Sequence, residues 1–126
     1  MKRWLAIVLL AAVTTLSAEP LSFVLQTSKQ QFYLVKHSVR RDDDGDTRFT
    51  LEAISKLAYH PVGATEPIGI ALFDYVIDCP RERFKLSRIR YRTDENKNAG
   101  AAPAPSDIWK PITPGGELDV VKKEIC

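Results

Sequence analysis

The sequence predicts an α+β fold: an antiparallel β-sheet of about five to six strands with one C-terminal helix packed on it and tied to it by a disulfide. Three observations carry that expectation. Apolar and polar residues alternate from residue 22 to residue 92, the period of half-buried strands. Leu118, Val121 and Ile125 then recur at the spacing of one helical face. Finally, Cys79 and Cys126 are the two cysteines of a chain that opens with an export signal, and an oxidising destination pairs them.

Residues 1–18 read as that signal. Lys2 and Arg3 form a basic tip, Leu5 to Val13 an apolar run too short to cross a bilayer, and Thr14 to Ala18 a small polar end, with cleavage expected after Ala18. No cysteine stands at the cleavage position and no later stretch is apolar enough for a second membrane element, so the expectation is a domain over residues 19–126 in the periplasm, on the cell surface or secreted. Taking 18 residues from 126 leaves 108, enough for one core. The formal charge of +2 resides in Lys2 and Arg3: without them, 16 of the 18 basic residues face 16 acidic ones. The basic character of the precursor is therefore no argument for a nucleic-acid partner. Closing the chain between Cys79 and Cys126 restricts the unfolded ensemble by roughly 4 kcal/mol in the chain-entropy account.

The elements follow in order. Ser22 to Gln26 is a short apolar strand, Lys29-Gln30 a turn, and Gln31 to Val39 a second strand rich in aromatic and β-branched residues. Arg48 to Tyr59 alternates, with Phe49, Leu51, Ala53, Leu57 and Tyr59 assigned to the core side. His60 to Pro67, with two prolines and a glycine, is a loop. Ile70 to Cys79 places Ala71, Phe73, Tyr75, Ile77 and Cys79 on one face, and Asp74 and Asp78 on the other. In Arg83 to Arg92 the phase of Phe84 and Leu86 is opposite to that of Ile89 and Tyr91, so a β-bulge near Ser87-Arg88 is needed to keep both pairs inward. Thr93 to Asp107, polar and then rich in Ala, Gly and Pro, reads as a mobile surface loop. Trp109 to Gly116 is a constrained turn. Glu117 to Ile125 is a helix with acidic residues at its start and Lys122 and Lys123 near its end, as the helix dipole favours.

Motifs that carry chemistry are scarce. Asp42-Asp43-Asp44-Gly45-Asp46 invites a calcium reading, but with Gly45 at the glycine position of an EF-hand loop the first and last ligand positions fall on Arg40 and Leu51, which cannot coordinate a hard cation. Asp44-Gly45 reads instead as a hairpin turn, and no metal or cofactor is expected. His37 and His60 are the only histidines, and no Gly-x-Ser-x-Gly, HExxH or phosphate loop is present, so no catalytic residue is assigned and the chain is read as a non-enzyme. Trp109 is read as a core or hinge anchor before an exposed binding aromatic. The candidate partner-binding residues are Arg81, Arg83, Lys85, Arg88, Arg90 and Arg92, interleaved with Phe84, Leu86, Ile89 and Tyr91. Such a stripe fits a docking face for a sulfated polysaccharide or an acidic protein segment, and equally the solvated side of a strand partly neutralised by Asp74 and Asp78.

With those features in place, the chain resembles the surface-adhesin protein E-like family of exported bacterial domains over nearly all of its mature length. The resemblance is carried by Gln31-Phe32-Tyr33-Leu34-Val35 followed by Ser38-Val39-Arg40-Arg41, by Asp74-Tyr75-Val76-Ile77-Asp78-Cys79 with Arg81 and Arg83 after it, by Trp109-Lys110-Pro111-Ile112-Thr113-Pro114-Gly115-Gly116, and by the closing Cys126. It implies an antiparallel sheet with a C-terminal helix held by the disulfide. It also implies binding of host matrix or plasma proteins such as laminin, vitronectin or plasminogen. The competing class is a periplasmic inhibitor or envelope accessory protein, and an exposed sheet edge allows a homodimer.

Overall fold

A computed structural model describes residues 20–103 and 107–126; the leader read over residues 1–18 lies outside them. The described residues form one antiparallel sheet: β1 (Leu21–Gln26), β2 (Gln30–Val35), β3 (Arg40–Arg41), β4 (Thr47–Tyr59), β5 (Ile68–Asp78), β6 (Arg83–Arg92), β7 (Asn98–Ala101) and β8 (Lys110–Pro111), followed by helix α1 (Glu117–Ile125). The spatial order is β1-β2-β4-β5-β6-β7, with β3 continuing the β2 edge along β4 and β8 lying along β6. The expected class therefore holds, with two very short strands added to the anticipated set. Among the described residues no helix is long and apolar enough to cross a membrane.

The core lies on one face of the sheet. Phe32 and Leu34 of β2, Phe49, Leu51 and Ala53 of β4, and Ala71 and Ile77 of β5 meet Leu118 and Val121 of α1 in a single cluster. Withdrawing each large apolar side chain from water contributes roughly 1.5–3 kcal/mol, and this term drives the helix onto the sheet. Tyr75 joins the same face, stacked on Phe49 and Phe73 and edge-on to Phe84. Burial, with a smaller push from Glu117, raises its hydroxyl pKa to about 12, so it stays neutral throughout the physiological range. Gly116 caps α1 without a side chain, and the first turn is secured by Asp119, whose carboxylate accepts the Gly115 amide at 2.8 Å.

The disulfide joins Cys79, just past β5, to Cys126 at the end of α1, with Cα atoms 5.8 Å apart. Lys122 of α1 pairs with Glu82 in the turn after Cys79, and Ser22 of β1 donates to Glu124, so the helix is held at both sides of the bridge.

The sequence-predicted bulge is present and sits on Ser87. Asp74 pairs with Arg88 but Tyr75 with Leu86, leaving Ser87 as the extra residue, and its hydroxyl donates to the Asp74 carbonyl at 2.9 Å. Three expectations need correction. The strand read over residues 31–39 is broken, because residues Lys36–Ser38 form a 3-10 turn. The Ser38 hydroxyl bonds the Val35 carbonyl and accepts the Thr50 amide at 2.8 Å, replacing ladder bonds between β2 and β3. Leu57 and Tyr59 do not face the core: Leu57 is 82% exposed, because the pairing of β4 with β5 is irregular between Ile54 and Tyr59. Periodicity alone does not see where a strand leaves its neighbour. Finally, the segment read as a mobile loop contains β7, whose Ala99 is fully buried. Gly100 holds φ at +97°, and a Cβ there would stand 2.6 Å from the Gly63 carbonyl, so the 60–67 loop is pinned against β7.

Candidate binding face

The face of the sheet opposite the helix is set by register. Because Ser87 is extruded, Arg83 and Lys85 before it and Arg88, Arg90 and Arg92 after it project to the same side, opposite Asp78, Val76, Asp74, Leu72 and Ile70 of β5. Without the bulge, the two halves of the stripe would point to opposite faces. Register across β4 adds Arg48, Thr50 and Glu52 to this outer face, and β3 adds Arg40, directly opposite Arg48.

Two carboxylates organise the arginines. Asp74 receives Thr50 Oγ1 at 2.7 Å, Arg90 Nη2 at 2.8 Å and Arg88 Nε at 2.9 Å. Burial raises its pKa, but the hydrogen bonds from Thr50, Arg88 and Arg90 and the Arg90 charge outweigh this and hold the carboxyl below its usual value. Asp78, 4% exposed, receives Arg83 Nε at 2.9 Å and Arg81 Nη1 at 3.3 Å, and is likewise held low against the opposing effect of burial. Arg81 belongs to the turn before β6 rather than to the strand, and Arg92 donates to Asn96 at 3.1 Å. All six sequence-predicted residues therefore lie on or beside one surface, and several are locked by β5 carboxylates.

Trp109 does not belong to the buried core. The segment around β8 crosses β6, where Arg83 and Lys85 each lie 4.5 Å from the centre of its ring, and Lys85 also pairs with Asp107 at 3.1 Å. The aromatic thus lies on the charged face as a partner of two of its cations.

Sequence reasoning missed Arg40 and Arg48. The signal was available: once Asp42 to Asp46 is taken as a hairpin turn, the residues flanking it must pair, and both flanks are basic. The hairpin forms as read, with Gly45 at φ +84°. Asp42 Oδ1 accepts the amides of Asp44 and Asp46 at 3.0 and 2.9 Å, while its Oδ2 takes Arg48 Nε at 3.1 Å. The carboxylates of Asp42, Asp44 and Asp46 lie within 4.8 Å of one another, but both oxygens of Asp42 already accept from the turn and from Arg48. Of the histidines, His37 sits exposed in the 3-10 turn and His60 bonds the Ala64 carbonyl through Nε2 at 2.8 Å.

Between β3, β4 and β6 the outer face sinks into an open depression of about 420 Å³, rimmed by Ser38, Arg40, Arg48, Ser87, Arg88 and Arg90 and floored by Thr50 and Asp74. No protein-family model, curated protein sequence or solved structure matches the chain.

Proposed function

We propose that the mature domain is an exported, non-enzymatic binding module whose contact surface is the outer face centred on β6. The observation that carries this reading is charge segregation. The chain without its leader is formally neutral, yet Arg40, Arg48, Arg83, Lys85, Arg88, Arg90 and Arg92 share one face with Glu52, Asp74 and Asp78 of the strands and with Asp42 and Asp107, which pair with Arg48 and Lys85, so cations remain in excess there. A neutral protein that gathers its cations on one sheet face presents a local positive field, which steers and orients an acidic partner. The disulfide supports an extracytoplasmic destination. Its use of both cysteines leaves no free thiol nucleophile among the described residues, which supports a binding role over thiol catalysis. In the surface-adhesin reading, the partner is a host matrix or plasma protein such as laminin, vitronectin or plasminogen.

The test is solid-phase binding of the disulfide-intact domain to those three proteins, with a Lys85→Glu/Arg88→Glu/Arg92→Glu variant whose fold is checked by circular dichroism. Saturable binding to one of them, lowered at least about tenfold in the variant, is the expected result. Absence of binding by the wild type, or equal binding by the folded variant, overturns the reading.

A further inference from the structure

We infer that the depression between β3, β4 and β6 is an oxyanion site that takes the sulfate groups of a sulfated polysaccharide, an inference that rests on the outer face being the contact surface. Arg40 and Arg48 stand directly opposite each other across an antiparallel pair, an arrangement of like charges that is unfavourable in the free protein. Arg40 is exposed, and outside the backbone pairing of β3 its side chain has no hydrogen-bond or ionic partner among the described residues. An anion seated between the two guanidinium groups converts that repulsion into attraction.

The orientation of the arginines strengthens the assignment. Arg48 and Arg88 are each gripped through Nε alone, by Asp42 at 3.1 Å and by Asp74 at 2.9 Å. The carboxylates hold one edge of each fork and leave both Nη groups as donors, at side chains 43% and 61% exposed. Asp42 and Asp74 are thus positioning residues. The hydroxyls on the rim are already committed, Ser38 between Val35 and Thr50 and Ser87 to the Asp74 carbonyl. The free donors of the site are therefore guanidinium N–H groups, and the matching ligand is an acceptor-rich anion rather than a neutral sugar.

A single ion in so open a depression would be weakly held, since exposed charges are screened by salt. The cations nevertheless continue along β6, with alternate residues about 7 Å apart, so a linear chain bearing repeated anions gains from several weak contacts at once. A single-stranded nucleic acid is also a linear polyanion that stacks its bases on aromatic rings. Trp109 is engaged by Arg83 and Lys85, and the exposed Phe23, edge-on to Tyr33, lies across the sheet on β1 rather than along the β6 cations, so DNA is carried as a competitor in the test.

The experiment is calorimetric titration of the disulfide-intact domain with size-fractionated heparin at low and physiological salt, beside its de-sulfated form and a single-stranded DNA of matched charge. Wild type should bind heparin and weaken with salt. Arg40→Ala should lose about tenfold or more, and Lys123→Ala, the same charge change on the helix, less than about threefold. Because Arg40 makes no contact the fold needs, its variant should melt with the wild type. Equal binding of de-sulfated heparin or of DNA, or equal losses in the two variants, overturns the assignment. Binding to laminin, vitronectin or plasminogen without binding to heparin overturns it too, while leaving the proposed function standing; binding to none of the four removes both.

Discussion

The two faces of β4, β5 and β6 are built from alternate residues of the same strands, and they follow different rules. On the core face, Phe49, Leu51, Ala71 and Ile77 are almost completely buried, uncharged and part of the apolar cluster that also holds Leu118 and Val121 of α1. On the outer face, Leu72 and Val76 are just as deeply buried, but their neighbours across β6 are Arg90 and Lys85, long side chains whose apolar stems can lie over them while the charged heads reach water. On the proposed reading, the difference separates folding from recognition. One face with a disulfide is sufficient to specify the sheet and the helix, and the other can then carry an excess of one charge that would be intolerable in a core. Asp74 and Asp78 neutralise that excess in part and, through their ion pairs, hold the guanidinium groups of Arg83, Arg88 and Arg90 in place.

The comparison can be broken most sharply on the core face. Leu51→Ala, at a fully buried position, should cost about 2–5 kcal/mol in denaturant-induced unfolding, whereas a loss below 1 kcal/mol would mean that the core is not where the fold is decided. Replacing both cysteines, Cys79→Ala with Cys126→Ala, should lower stability by about 2–4 kcal/mol and loosen α1 first, visible as faster amide exchange at Leu118 and Val121. On the outer face the effects shrink. Asp74→Asn should cost about 1 kcal/mol, since Arg88 is largely solvated and Arg90 about one-third exposed, so solvent screens both pairs.

The same substitution has a pH signature. The folded carboxyl of Asp74 lies below the ordinary 3.8, so its contribution is fully present above that value and disappears as pH falls through the lower folded value. Unfolding midpoints collected from pH 5 downwards should therefore fall less steeply for Asp74→Asn than for the wild type; parallel curves would rule out the depressed carboxyl. The smallest change expected is at Arg40→Ala, within about 0.5 kcal/mol of wild type and on the stabilising side, because a like-charge pair is relieved. A clear loss of stability there would show that Arg40 has a structural partner.

Much of this division was legible in the sequence, for physical reasons. Strict alternation from Phe49 to Ala53 and from Ala71 to Cys79 reports which face is apolar, and the phase reversal between Leu86 and Ile89 can be reconciled with a two-sided strand only by an extra residue, which is Ser87. Leu118, Val121 and Ile125 place the helix with equal directness. Illegible were features that depend on how far neighbours run together. Leu57 keeps the alternation yet stands in solvent because the pairing with β5 is interrupted there, and Ala99 is buried because the 60–67 loop closes over a stretch with no strand-like pattern. The site was half legible: β6 announces its cations in one run, whereas Arg40 and Arg48 become neighbours only through the register of a hairpin, and Trp109 joins them through the strand pairing of β8.

The most direct test of the separation between the faces is an amide NMR titration of the disulfide-intact domain with a heparin oligosaccharide. The largest shifts should fall on residues 38–50 and 83–92, with the amides of α1 and β1 unmoved. Shifts concentrated on α1 or β1, with Arg40, Arg48 and Arg88 undisturbed, would contradict the account.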